Sequence, residues 1–222
     1  MIVLDQVRVG RLRPLPREGQ RTGIFKEPVV GRVAVGVEGL AGDHQGDRTV
    51  HGGPDKAVHY YPAESYALLA ARRPDLVSQL VPGSLGENLS AHGLTEDDVC
   101  LGDTYRVGTV VLQVSQPRRP CWKIDHRFDT EGLVPLINTL GRPGWYFRVL
   151  TPGELEAGDA IELADRSAPG LTLARLLATF GAHRPDPEEL RLLAAAPGLT
   201  VGWVDRLERR ASWLEGASPT RR

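Results

Sequence analysis

The sequence predicts a mainly β fold with α elements: a β-barrel with peripheral helices over residues 1–165, followed by a small three-helix domain over 166–222. Three observations carry this expectation. Up to about residue 165 the apolar residues come in short, often alternating runs punctuated by glycine, the pattern of half-buried strands. After Arg166-Ser167-Ala168-Pro169-Gly170 the apolar spacing becomes helical. The segments that follow also carry cap residues where helices of that spacing should start and stop.

Strands are expected at residues 2–9, 29–37, 57–61, 104–107, 110–115, 145–150 and 160–163. Leu101-Gly102-Asp103-Thr104-Tyr105 and Ala157-Gly158-Asp159-Ala160-Ile161 repeat a Gly-Asp turn leading into a strand, because glycine permits positive φ and aspartate accepts from local backbone donors. Two helices interrupt the barrel, at 62–72 and 131–140, the second with Leu133, Leu136, Ile137 and Leu140 on one face. In the C-terminal part, Thr172 caps a run carrying Leu173, Leu176, Leu177 and Phe180, and Gly181 stops it. Asp186-Pro187-Glu188-Glu189 opens the next helix with a cap, a proline at the first turn and two acids that suit the helix dipole. Thr200 caps the last, which presents Trp203, Leu207, Ala211 and Leu214. A bundle of about 50 residues is too small to be stable alone. It should pack on the barrel or on a second subunit, which leaves a homodimer open.

Length and composition set limits on function. The 222 residues suffice for one large domain and an appendage, and 41% hydrophobic with 25% charged residues is ordinary for a globular protein. The formal net charge of −1 offers no global basis for nucleic-acid or membrane binding, so an anion site must be local. No leader-like start and no window of about 18 apolar residues is seen, so a cytoplasmic protein is expected. With only Cys100 and Cys121, neither a disulfide framework nor a four-thiolate metal site can be built within the chain.

Three stretches could carry chemistry. In Gln116-Pro117-Arg118-Arg119-Pro120-Cys121-Trp122-Lys123 two prolines deny helix and central-strand bonding, so a stiff loop should hold Cys121 at a fixed point, and Arg118, Arg119 and Lys123 would stabilise a thiolate suited to a soft metal or to nucleophilic attack. The alternative is a small buried cysteine in a proline-rich turn. Cys100, between Val99 and Leu101, has no such cationic escort and reads as packing. Around His51-Gly52-Gly53-Pro54-Asp55-Lys56, glycine backbone would admit an anion, with Arg48 and Lys56 offering charge-assisted bonds; plain turn chemistry would also account for the segment. In Gly83-Ser84-Leu85-Gly86-Glu87-Asn88-Leu89 a turn delivers Glu87 and Asn88, whose amide suits the edge of a heterocycle, or else serves an Asx-type turn. Zinc is disfavoured, since His44, His51 and His59 lie seven and eight residues apart with no compact ligand pair.

Together these stretches resemble the MOSC family, named for the C-terminal domain of molybdenum-cofactor sulfurases. The resemblance covers about residues 1–165 and rests on Gly42-Asp43, His51-Gly52-Gly53 with Asp55-Lys56-Ala57-Val58, Gly86-Glu87-Asn88-Leu89, Leu101-Gly102-Asp103, and Gln116-Pro117-Arg118 with Pro120-Cys121 and Lys123, in the family's order. The C-terminal helices match the standalone bacterial YiiM-like subgroup. The resemblance implies a MOSC-type barrel that binds the molybdenum cofactor (molybdopterin), with Cys121 as metal ligand. It implies a cofactor-binding set of Arg48, His51, Gly52, Gly53, Lys56, Asn88, Arg118, Arg119 and Lys123, with Glu87 or His59 as proton donor and Glu87 as a catalytic residue beside Cys121. The implied activity is reduction of N-hydroxylated purines or related compounds to amines. Electrons would come from an external flavin or iron–sulfur reductase, because the chain shows no Rossmann Gly-x-Gly-x-x-Gly and too few cysteines for a cluster. A cofactor carrier without turnover and a sulfur-handling protein are the alternatives. Leu85 departs from the aromatic of many relatives, and no pyridoxal-phosphate domain accompanies the barrel, so desulfuration is not expected.

Overall fold

The computed structural model describes residues 1–15, 19–46 and 51–216. Its strands are β1 (Ile2–Val3), β2 (Gln6–Val9), β3 (Arg13–Pro14), β4 (Arg21–Thr22), β5 (Glu27–Pro28), β6 (Val33–Gly36), β7 (Gly39–Leu40), β8 (Val58–Tyr60), β9 (Leu89–Ser90), β10 (Thr104–Val107), β11 (Val110–Pro117), β12 (Trp145–Thr151), β13 (Gly153–Leu155) and β14 (Ala160–Asp165). The helices are α1 (Glu64–Arg72), α2 (Lys123–Arg127), α3 (Leu133–Leu140), α4 (Leu173–Gly181), α5 (Pro187–Ala194) and α6 (Val201–Gly216).

Nine strands form one sheet in the order β1-β14-β10-β11-β12-β8-β9-β2-β5. The N-terminal segment joins the two ends: Ile2 and Val3 pair with Ile161 and Ala160, whereas Gln6 and Val7 pair with Ser90 and Leu89. Between them, the Leu4 N–H donates to the Asp159 carbonyl at 2.9 Å and that of Asp5 to Ser90 at 3.0 Å. The sheet thus curls as a barrel does, so that one short segment pairs at one end through β1 and near the other through β2, with β5 outermost. This change of partner splits the strand expected over 2–9. The strand expected over 29–37 shrinks to β6, because Val30 is fully exposed and the chain leaves the core there.

Both Gly-Asp turns behave as expected. Asp103 Oδ2 accepts from the Cys100 N–H at 2.9 Å and Asp159 Oδ2 from the Glu156 N–H at 2.9 Å. β10 and β11 form a hairpin in register from Thr104↔Gln113 to Val107↔Val110. Gly108 at its tip has φ 57°, and a Cβ there would lie 2.5 Å from the Glu154 carbonyl oxygen.

The barrel core of Tyr60, Leu112, Val114, Trp145 and Phe147 is continuous with Leu173, Leu176, Leu190, Leu193, Trp203 and Leu207 of the C-terminal helices. Burial at about 1.5–3 kcal/mol per large apolar side chain is what the small helical layer lacks alone and gains on the barrel. Thr172 accepts from the Arg175 N–H at 3.1 Å and Asp186 from the Glu188 N–H at 2.9 Å, as the cap pattern predicts. Thr200 differs: its hydroxyl donates to Gln116 Oε1 at 2.9 Å on β11, so it ties the helix to the barrel. The expected face of α6, Trp203, Leu207, Ala211 and Leu214, is buried. A second apolar cluster, containing Tyr61, Tyr66, Leu69, Leu85, Ile124, Leu133 and Ile137, seats α1, α2 and α3. Helix α2 was not foreseen, because Pro117 and Pro120 mark a loop and only the five residues after Trp122 turn helical. Among the described residues no helix is long and apolar enough to cross a membrane.

Candidate functional site

Strands β11, β12, β8 and β9 are neighbours in the sheet, and together with the loops that adjoin them they supply one wall of a cleft of roughly 610 Å³ counted out to its mouth. This wall carries His59 from β8, Tyr146 from β12, Gly86 and Asn88 ahead of β9, Arg118 and Cys121 after β11, and Lys123 at the start of α2. Lys26, Asp43, His51, Gly52 and Lys56 are among the residues that line it from other segments. The structure therefore brings together seven residues of the cofactor and metal set drawn from the sequence, Cys121, His51, Gly52, Lys56, Asn88, Arg118 and Lys123, with His59, one of the two proton-donor candidates.

Cys121 is half-buried in this lining, and its carbonyl accepts from the Ile124 N–H at 3.0 Å, so the thiol sits where the proline-stiffened loop hands over to α2. Cys100 is 2% exposed in the apolar core region, away from the cleft. The division drawn between the two cysteines thus follows the fold.

Three of the remaining sequence candidates, Gly53, Arg119 and Glu87, lie off the lining, and one lies outside the described residues. Gly53, with φ 81°, opens the short 3-10 turn Pro54–Lys56, and Lys56 N–H donates to its carbonyl at 2.9 Å, so it shapes the Lys56 loop from behind. Arg119 is exposed, beside the lining residue Arg118. Arg48 is among the residues not described.

Glu87 requires a correction. It is fully buried, accepts from the Tyr66 hydroxyl at 2.6 Å and from the Gly83 N–H, and does not line the cleft. The turn places consecutive side chains on opposite sides, so Asn88 faces the cleft while Glu87 ties the turn to α1. Gly86, which precedes them, has φ 84°, and a Cβ there would press on Ile24 Cγ1 at 2.9 Å. In this position Glu87 holds the turn from behind the lining.

A buried polar chain orders the cleft floor. Lys26 Nζ pairs with Asp43 Oδ1, which also accepts from the Gly10 N–H at 2.7 Å. Asp43 Oδ2 accepts from Asn88 Nδ2 at 3.0 Å, and Asn88 Oδ1 accepts from the His59 N–H at 3.0 Å. Asn88 is held by both ends of its amide and cannot flip freely. Lys26 escaped the sequence reading, since Phe25-Lys26-Glu27-Pro28 offers no motif; Asp43 was visible only as part of Gly42-Asp43.

Among the described residues that line the cleft, cations outnumber carboxylates. Asp43 neutralises Lys26, whereas Arg118 and Lys123 are 8% and 6% exposed and Lys56 is half-buried nearby. Burial holds the Lys26 ammonium below its usual value despite Asp43. Burial and then the Arg118 charge push His59 well below the ordinary imidazole range, so its ring is neutral. Its Nε2 is buried without a hydrogen-bond partner. The Tyr146 hydroxyl is held above the usual phenol range by burial, against the pull of Arg118. Such a site favours an anion that also offers hydrogen-bonding atoms.

Residues 47–162 match the model of the MOSC domain. The chain belongs to the MOSC family. Protein YiiM of Escherichia coli is 36% identical over 205 residues, which is 92% of this chain and 90% of that protein. The crystal structure of YiiM from Geobacillus stearothermophilus superposes with a TM-score of 0.80 at 32% identity, covering 95% of this chain and all of the other. A Gibberella moniliformis protein described as a reductase is 37% identical over 75% of this chain, which corresponds to 30% of that longer protein. The chain is therefore a YiiM-like MOSC protein, of a family associated with the molybdenum cofactor.

Proposed function

We propose that the cleft binds the molybdenum cofactor, with the Cys121 thiolate as protein ligand to the metal, and that the protein reduces N-hydroxylated purines or related compounds to amines. The observation that carries this reading is a half-buried thiol in a cleft it shares with Lys56, Arg118, Lys123 and Asn88. The donor set fits the cofactor in three respects. A soft sulfur suits molybdenum, and the surplus cations suit a phosphate. The fixed Asn88 amide and the unpartnered His59 Nε2 suit the polar edges of a pterin or purine.

When bound, the cofactor supplies the two-electron chemistry of N–O reduction. The chain does the rest. Arg118, Lys123 and Lys56 hold the anionic group, and Asp43 fixes Asn88 in one orientation. Neutral His59 offers a hydrogen bond without adding charge to an already cationic site. We place the protein in the cytoplasm, supplied with electrons by an external flavin or iron–sulfur reductase; the Gibberella relative described as a reductase favours turnover over a carrier role.

Protein produced with ample cofactor supply should carry molybdenum at about one atom per chain. With a chemical reductant it should convert an N-hydroxylated purine to the amine. Full molybdenum occupancy without product would favour a carrier, and absence of molybdenum would defeat the reading altogether.

A further inference from the structure

Asp55 and Lys56 are consecutive in the short turn Pro54–Lys56, yet only one of them meets the cleft. Lys56 lines it together with His51 and Gly52, whereas Asp55 is exposed and lies outside the lining. Two grips from elsewhere in the fold close on Asp55.

The first grip is Arg148 on β12. Its Nε donates to Asp55 Oδ1 at 2.9 Å, and its Nη2 lies 2.7 Å from the same oxygen. Its Nη1 donates to Gln113 Oε1 on β11 at 2.9 Å and to the Gly198 carbonyl at 2.9 Å, in the connection between α5 and α6. One guanidinium thus ties the cleft turn, the sheet and the C-terminal helices, a task that needs a planar fork of several donors. The Gly198 end is a firm anchor, because the connection touches the barrel backbone to backbone: a Cβ at Gly102 would lie 2.1 Å from the Pro197 carbonyl oxygen, and one at Gly198 would lie 2.9 Å from Gly102 Cα.

The second grip is Ser115. Strands β11 and β12 pair Val114 with Phe147 and Gln116 with Tyr146, so Ser115 is the extra residue of a β-bulge. Outside the ladder its carbonyl accepts from the Thr200 N–H at 3.1 Å, and its hydroxyl donates to the Asp55 carbonyl at 2.6 Å. Both grips therefore join Asp55 to the start of the C-terminal layer, one residue ahead of Lys56. The Asp55 carboxylate is 52% exposed, so its ion pair adds little to overall stability, and its effect falls on where the turn is held.

We propose that Arg148 is a positioning residue for the cleft: through Asp55 it fixes the segment that presents His51, Gly52 and Lys56, and through Gly198 it makes that placement depend on the C-terminal helices. A segment ordered before binding spares the ligand the cost of ordering it. The identity of the ligand rests on the cofactor reading above, while the hold on the turn stands on the bonds themselves.

Two measurements on the full chain test this: hydrogen exchange over residues 51–57, and fluorescence titration of cofactor-free protein with molybdopterin. Arg148→Gln should speed exchange over 51–57 about threefold or more, leave α1 unchanged, and weaken molybdopterin binding about threefold to tenfold at an unaltered melting temperature. Arg148→Lys, which keeps the charge but not the fork, should restore part of both. Asp55→Asn, at an exposed position, should act in the same direction as Arg148→Gln, and the double variant should be no worse than the poorer single one. Additive losses in the double variant would overturn the proposal, since Arg148 would then act by a route other than Asp55. Unchanged exchange over 51–57 in Arg148→Gln and in Asp55→Asn would overturn it as well. If no sample binds molybdopterin but both substitutions loosen 51–57 without adding, the hold on the turn stands and the cofactor reading falls.

Discussion

Two regions of this molecule use the same ingredients to opposite ends. At the seam between barrel and C-terminal helices, Cys100 lies in the core beside the buried Asp103, and the backbone of Cys100 bridges to Thr172 at the start of α4. Asp103 accepts from the Cys100 N–H, from the Tyr105 hydroxyl at 3.2 Å and from Arg166 at 2.7 Å, and Arg166 also donates to the Asp98 carbonyl at 2.8 Å. Cysteine, carboxylate and cation are there in balance. In the cleft, Cys121, Asp43 and Lys26 repeat the set, but Arg118, Lys123 and Lys56 are added and the His59 Nε2 has no partner. A balanced buried network fixes structure, whereas an unbalanced one is completed by a ligand.

The largest effect should come from exchanging the two cysteines' chemistry. Cys121→Ser should lower molybdenum content more than about tenfold, since second- and first-sphere changes commonly cost that much in metal affinity, while the melting temperature stays close to that of the unmodified protein. Cys100→Ser should keep its molybdenum and lose about 1–3 kcal/mol of stability, because a hydroxyl replaces a thiol in the core. Metal analysis and denaturant unfolding of both variants check this, and identical behaviour would erase the distinction between the regions.

Asp103→Asn sharpens the contrast from the structural side. It removes the charge that pairs Arg166 and leaves donors unmatched, at a cost of about 3 kcal/mol in chemical denaturation. Molybdenum content at a temperature where the variant is folded should not change.

The smallest effect is a dependence on pH. His59 titrates well below 6.5 when folded, so between that value and 6.5 the unfolded chain binds the extra proton. Its contribution is present above pH 6.5 and is lost as pH falls below it, by at most about 1.4 kcal/mol per pH unit. Glu96 works in the opposite sense, since burial raises it and the folded state holds its proton longer. Comparison with His59→Gln cancels the Glu96 contribution: the difference in unfolding free energy between the two proteins should change below pH 6.5 and be flat above it.

The sequence by itself determined the strands of strict alternation, both Gly-Asp turns, the caps at Thr172 and Asp186, and the separation of Cys121 from Cys100. All of these rest on neighbours a few residues apart, where steric and hydrogen-bonding preferences act directly. The tertiary structure alone decided which side of its turn Glu87 faces, that Lys26 reaches Asp43 across 17 positions, and that Thr200 bonds Gln116 across 84. Such pairings depend on how the sheet curls and where α6 lands on β11, and no local spacing encodes a bond between residues so far apart in the chain.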